Sequence, residues 1–127
     1  MRFPTLDEVI ACNEAARGPG EASPSAQDDD LDRVDRALAR AQAKMDPIDA
    51  AAALAYEITA AQGFYEANKR TGFLLARWFL QVNTSLDVES VIPPDDHELA
   101  DLLIAAARGE HVGEAIETLL HSRIGDP

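Results

Sequence analysis

Cysteine is almost missing from this chain. The single residue, Cys12, excludes a disulfide framework and a cysteine-based zinc site within one copy. Positive charge is also scarce: 11 Lys and Arg stand against 23 Asp and Glu, for a net charge of -12. A surface that acidic repels phosphate backbones and anionic membranes, which argues against general nucleic-acid binding and membrane docking. Long apolar runs are lacking too. Nothing approaches the roughly 18 residues of a membrane span, and Met1–Glu8 has no apolar signal segment. The expectation is a soluble, cytosolic protein. No GxxxxGK[ST], HExxH, GxSxG or EF-hand pattern occurs.

Aromatic residues make up only 6% of the chain, whereas alanine is abundant. Ala and Leu propagate helix, so the composition predicts an all-α fold. With 127 residues, the chain is expected to form a single domain over 1–127. A first helix starts near Thr5, with Glu8 completing a capping-box pattern and Leu6, Val9, Ile10 and Ala16 near one face. Arg17 to Asp30, rich in Gly, Pro and acids, reads as a loop whose Asp28, Asp29 and Asp30 suit the start of a helix. That helix sets Leu31, Val34, Leu38 and Ala41 inward and turns Arg33, Arg36 and Arg40 away. Asp46-Pro47 starts another, with Ile48, Ala51, Ala52, Ala55 and Ile58 along one side. Asn68 to Val82 is apolar around most of its circumference and is expected at the centre. Residues 83–94 read as a connection with a short extended piece at Asp87 to Ile92. Helices from about Asp95 and about Val112 complete the chain. The expected architecture is a compact bundle of about six helices around a buried central helix.

Gln62 to Gly72 (QGFYEANKRTG) stands apart from the rest. It is a turn entering the most apolar helix, and the N–H groups of a helix start are unpaired and favour an anion. Lys69 and Arg70 place two cations there, the wrong sign for helix stability. In so acidic a chain they point to an anionic ligand, most simply a phosphate. Glu66 offers a hard oxygen that suits Mg²⁺ beside phosphates. The competing reading is an ordinary loop, with Asn68 as N-cap and two solvated cations.

Phe64 to Gly72, F-x-E-A-N-K-R-T-G, resembles the signature of the Fic/Doc superfamily, H-x-F-x-[DE]-[GA]-N-[GK]-R, and its Doc (death-on-curing) branch in particular. Leu6 to Ile10, Asp35 to Gln42 and the alanine-rich Asp46 to Ala61 are similar to other helices of that family. The resemblance implies the family's all-α fold and a toxin of a toxin–antitoxin pair. Such a protein transfers AMP, or in Doc the γ-phosphate, from ATP to a protein hydroxyl. For Doc that hydroxyl belongs to elongation factor Tu, so the resemblance offers it as the target. By position, Glu66 holds Mg²⁺, Asn68 contacts phosphate, and Lys69 and Arg70 bind the transferring phosphates. Phe64, Thr71 and Gly72 join the nucleotide site, and the N–H groups of Asn68 to Gly72 complete an anion hole. An antitoxin helix lying in a groove is the implied partner, with Asp28, Asp29 and Asp30 as a candidate acidic rim.

The family's motif begins with His, the general base; here that position is Gln62. An amide has no proton affinity near neutral pH, and losing a base costs roughly 10²–10⁴-fold in rate. Three accounts stay open. Gln62 is an inactivating change, the chain is a non-catalytic interaction module, or the transition state needs little early deprotonation. His97, His111 and His121 are expected at the surface. Cys12 is expected as an inert thiol, Trp78 and Phe79 in the core, and Arg77 in a surface ion pair.

Overall fold

Aspartate starts most of the helices. The computed structural model describes residues 1–17 and 29–124. Among them lie seven helices and no strand: α1 (Leu6–Arg17), α2 (Leu31–Gln42), α3 (Pro47–Ala61), α4 (Asn68–Asn83), α5 (Val88–Val91), α6 (His97–Ala107) and α7 (Gly113–Ser122). The Thr5–Glu8 capping box forms in full: the Glu8 N–H donates to Thr5 Oγ1 at 3.1 Å and the Thr5 N–H to Glu8 Oε1 at 3.0 Å. The backbone bond from Thr5 holds the Glu8 carboxyl below its ordinary range. Asp30 caps α2, Asp46 caps α3 and Asp96 caps α6, each carboxylate accepting a first-turn N–H.

Two sequence expectations are corrected. Asp87 to Ile92 is not extended. The Asp87 carboxylate accepts from the Glu89 N–H at 3.2 Å and Arg77 Nε holds the Ile92 carbonyl at 2.9 Å, which winds the segment into α5. The central helix is α3 rather than α4. From Ala50 through Ala55 every α3 side chain is buried, with Ile48 and Ile58 beyond them. On α4, by contrast, Leu74 and Val82 are 39% and 42% exposed. Alanine explains the exchange: α3 packs against α2, α4, α6 and α7 at once, and only small side chains let four neighbours come so close. Gly72 does the same from α4's side, since a Cβ there would stand 2.6 Å from the Ala55 carbonyl oxygen. On α2, Val34, Ala37, Leu38 and Ala41 are buried as the spacing requires, while Leu31 is exposed.

At the far end Asp96, buried, pairs with Arg123, which also donates to the Val91 carbonyl at 2.8 Å. Burial pushes the Asp96 carboxyl up, but bonds from Arg123 and the Leu99 N–H outweigh it and leave it below the usual range. Among the described residues no helix is long and apolar enough to cross a membrane.

Candidate functional site

Helix α3 ends at Gln62, whose backbone turns left-handed (φ 50°), and α4 begins after Ala67, left-handed again (φ 62°). Among the described residues these are the only non-glycine positions with positive φ. Left-handed backbone at a residue with a Cβ costs roughly 1–2 kcal/mol and persists where the surroundings impose it. Here a buried polar network imposes it. Asn13 Nδ2, from α1, donates to the Glu66 carbonyl at 2.9 Å and to Thr71 Oγ1 at 3.1 Å. Its Oδ1 accepts from Arg17 Nε at 2.7 Å, and Arg17 Nη2 meets Asp29 Oδ1 at 2.7 Å and Oδ2 at 2.9 Å. The same Asp29 Oδ1 accepts from the Tyr65 N–H at 2.7 Å. Gly63 closes the other side, its Cα so near α2 that a Cβ would stand 2.6 Å from Val34 Cγ2.

The product is a cavity of about 330 Å³ lined by Gln62, Tyr65, Glu66, Ala67, Asn68, Lys69, Arg70 and, from the end of α6, Ala107. Five of the expected site residues therefore meet in one place: Gln62, Glu66, Asn68, Lys69 and Arg70. The first α4 amide with an acceptor in the helix cap is that of Thr71, to the Ala67 carbonyl at 2.9 Å. A helix start leaves the preceding amides, of Asn68, Lys69 and Arg70, for a ligand. Helix α4 also has no acid in its first turn, whereas each of the other six helices carries at least one. The positive end of α4 is thus left uncompensated and reinforced by two cations.

Several assignments change on this geometry. Asn68 is not the N-cap; Ala67 holds that position and makes no side-chain cap. The Asn68 amide is buried and spans the loop, accepting from the Phe64 N–H at 3.0 Å and donating to the Phe64 carbonyl at 2.9 Å. Phe64, 3% exposed, packs in the core. Thr71 is fully buried and its hydroxyl donates to the Ala67 carbonyl at 2.7 Å, while Gly72 is the close contact with α3. Phe64, Thr71 and Gly72 therefore shape the loop from behind rather than line the cavity, and the amides of Thr71 and Gly72 are spent inside the helix. Arg70 Nη1 donates to the Ala16 carbonyl at 2.7 Å, capping α1 with part of its guanidinium. Lys69 is exposed and has no ion-pair partner among the described residues. Gln62 turns its Nε2 onto the Thr59 carbonyl at 2.6 Å, which leaves Oε1 as its accepting end.

Asp29 is no solvated rim charge, because its carboxylate is buried against Arg17 and the Tyr65 amide; Asp28 lies outside the described residues. His97, His111 and His121 are exposed, Phe79 is core and Trp78 partly buried, and Arg77 pairs with Glu89 at 2.8 Å. Burial raises the Cys12 thiol, as an inert cysteine requires. Asn13, Arg17 and Tyr65 were not singled out from sequence, and Asp29 was expected at a helix start or an acidic rim rather than in this network. The one signal available for Asn13 was its polarity on an otherwise packed helix.

A left-handed turn, an uncapped helix start and two adjacent cations thus surround one cavity on a helical scaffold. The family model described as Fic/DOC family matches residues 13–80, from the Asn13 of that network to Leu80 in α4. The chain belongs to the Fic/DOC family. No curated protein matches it.

Proposed function

We propose that this chain binds a nucleoside triphosphate, ATP with Mg²⁺, at the start of α4 and acts as a Doc-like toxin of a toxin–antitoxin module. Its reaction is transfer of a phosphoryl or AMP group to a hydroxyl of a target protein, with elongation factor Tu the target that the Doc resemblance suggests. The observation that carries the reading is the cavity in which Lys69, Arg70 and the three available amides of α4 face Glu66 and Gln62. An adjoining cavity of about 320 Å³ shares Lys69 and Arg70, with Phe73, Leu103 and Ile104 among its apolar walls. Together they suit a molecule that is anionic at one end and apolar at the other.

One carboxylate beside the cations fits a magnesium ion, which binds through one or two carboxylates plus substrate phosphates. Glu66 would hold it, and it would spread the negative charge of the phosphates. In the transfer, the target's hydroxyl oxygen forms a bond to phosphorus and the bridging P–O bond breaks, releasing ADP for phosphoryl transfer or pyrophosphate for AMP transfer. Lys69, Arg70 and the amides of Asn68, Lys69 and Arg70 neutralise charge on the oxygens in flight. Gln62 Oε1 accepts a hydrogen bond from the hydroxyl and orients it, but does not take the proton, which passes to solvent. Transfer is therefore slow, by roughly 10²–10⁴-fold relative to a site with a base. For the antitoxin helix we favour the groove of about 430 Å³ between α1 and α4, walled by Pro4, Ala11, Cys12, Leu74 and Trp78.

The test is incubation of the protein and of Gln62→His with α- or γ-labelled ATP and a cell lysate. Label on a protein, stronger with Gln62→His, supports the enzyme. ATP binding without label from either form leaves the non-catalytic interaction module, which the missing base favours. No binding ends the nucleotide reading.

A further inference from the structure

At the other end of α3 from Gln62, three potential metal ligands converge from two helices. Asp46 and Asp49 come from the start of α3 and His121 from the last turn of α7. Their ligand atoms lie within 4.8 Å of one another, and His121 Nε2 stands 2.8 Å from Asp49 Oδ1. We propose that these residues bind one divalent transition-metal ion of the zinc type.

Asp49 pairs with His121 and Asp46 caps α3, yet these roles leave one Asp46 oxygen beside the pair. Asp46 Oδ1 is occupied by the Ile48 and Asp49 amides, at 2.7 Å and 3.1 Å, which fixes the carboxylate and leaves Oδ2 as the oxygen without an amide. Zinc holds imidazole nitrogen and carboxylate oxygen at about 2.0–2.2 Å, so donors to one ion stand roughly 3–3.5 Å apart. Bringing the group to that spacing takes small side-chain rotations, which fall to the exposed His121 rather than to Asp46, held by its two amides. The imidazole decides the class: two carboxylates alone would suit magnesium or calcium, whereas a nitrogen donor selects zinc, nickel or cobalt. His121 sits in the last turn of α7, the end of a helix dipole that favours a cation, in a chain of net charge -12. Water completes the coordination.

The ion's role is structural. The 15 residues of α3 span about 22 Å, so this site is far from Glu66 and takes no part in transfer. It pins α7 to the start of the central helix and joins residues 72 apart in sequence.

The experiment is calorimetric titration of the full chain with Zn²⁺ alone, with Mg²⁺ as comparison, together with thermal unfolding. One Zn²⁺ per chain is expected, with affinity falling at least tenfold in Asp49→Asn and in His121→Gln. At 100-fold excess over Kd the unfolding midpoint should rise by roughly 10 °C in the parent and hardly in the variants. Glu66→Gln, His97→Gln and His111→Gln should bind as the parent does. No stoichiometric Zn²⁺ binding, binding kept by both site variants, or binding that follows His97 or His111 instead would each overturn the proposal. None of these results depends on nucleotide transfer.

Discussion

Helices α3 and α4 pack on each other, yet their starts are built by opposite rules. The start of α3 follows every local preference: Asp46 accepts two amides, Pro47 takes the first position and Asp49 adds negative charge. The start of α4 breaks them: Ala67 is left-handed, no side chain caps, and Lys69 and Arg70 oppose the dipole. The first end stabilises the fold unaided. The second is held from outside, by Asn13, Arg17 and Asp29, and what it gains is an uncompensated positive pole facing a cavity. Helix α7 also starts without a side-chain cap, at Val112, but among the described helices only α4 combines that with a left-handed entry and two cations in its first turn.

Removing the outside support should break the contrast most severely. Asp29→Ala deprives the buried Arg17 guanidinium of its carboxylate and should cost about 3 kcal/mol in denaturant unfolding. In a double-mutant cycle with Arg17→Ala the two losses should fall well short of adding. Asp46→Ala, measured with a chelator present, should cost about 1 kcal/mol and leave nucleotide affinity unchanged, because the rule-following end is structural only. Lys69→Glu sharpens the comparison by imposing on α4 the rule α3 obeys. Stability should rise by roughly 0.5 kcal/mol while calorimetry shows ATP binding lost.

The smallest effect concerns Glu57, on α3 between the two ends. Burial raises its carboxyl, with Arg40 and Lys44 only partly opposing. A raised acid favours its neutral form in the fold, so its contribution is greatest below the unfolded pKa and lost as pH rises through the folded one. Glu57→Gln should therefore raise the midpoint slightly at pH 7, and thermal scans should show that gain vanish in acid.

The rule-following parts were legible in the sequence. The Thr5–Glu8 box, Asp46-Pro47 and the alanine face of α3 are local patterns, and local patterns are what residues a few positions apart encode. The site was legible as a motif but not as a structure. Glu66, Lys69 and Arg70 stood out through charge and spacing and Gln62 through the family resemblance, and the structure puts them around one cavity. The network behind them did not stand out, because Asn13 and Thr71 are 58 residues apart and Arg17 and Asp29 are 12 apart, too far for local patterns to link them. Phe64 and Thr71 looked like ligand residues because they belong to the motif, yet burial makes them its backing. The exchange of α3 for α4 as the hub has a related cause. Periodicity measures how apolar a helix is, whereas centrality depends on how closely neighbours approach, and alanine wins that contest.

Gly72 carries a last consequence. Because α4 rests close on the Ala55 carbonyl, with no side chain between, the helix start is packed backbone to backbone against α3. On the proposed reading, a phosphate at that start would meet donors already in place, and little affinity would be spent on ordering the loop. A cradle fixed in this way would grip ligand about as well whether or not catalysis follows. Capture and turnover would thereby be separable, and the proposed nucleotide site would hold its ligand even without a base.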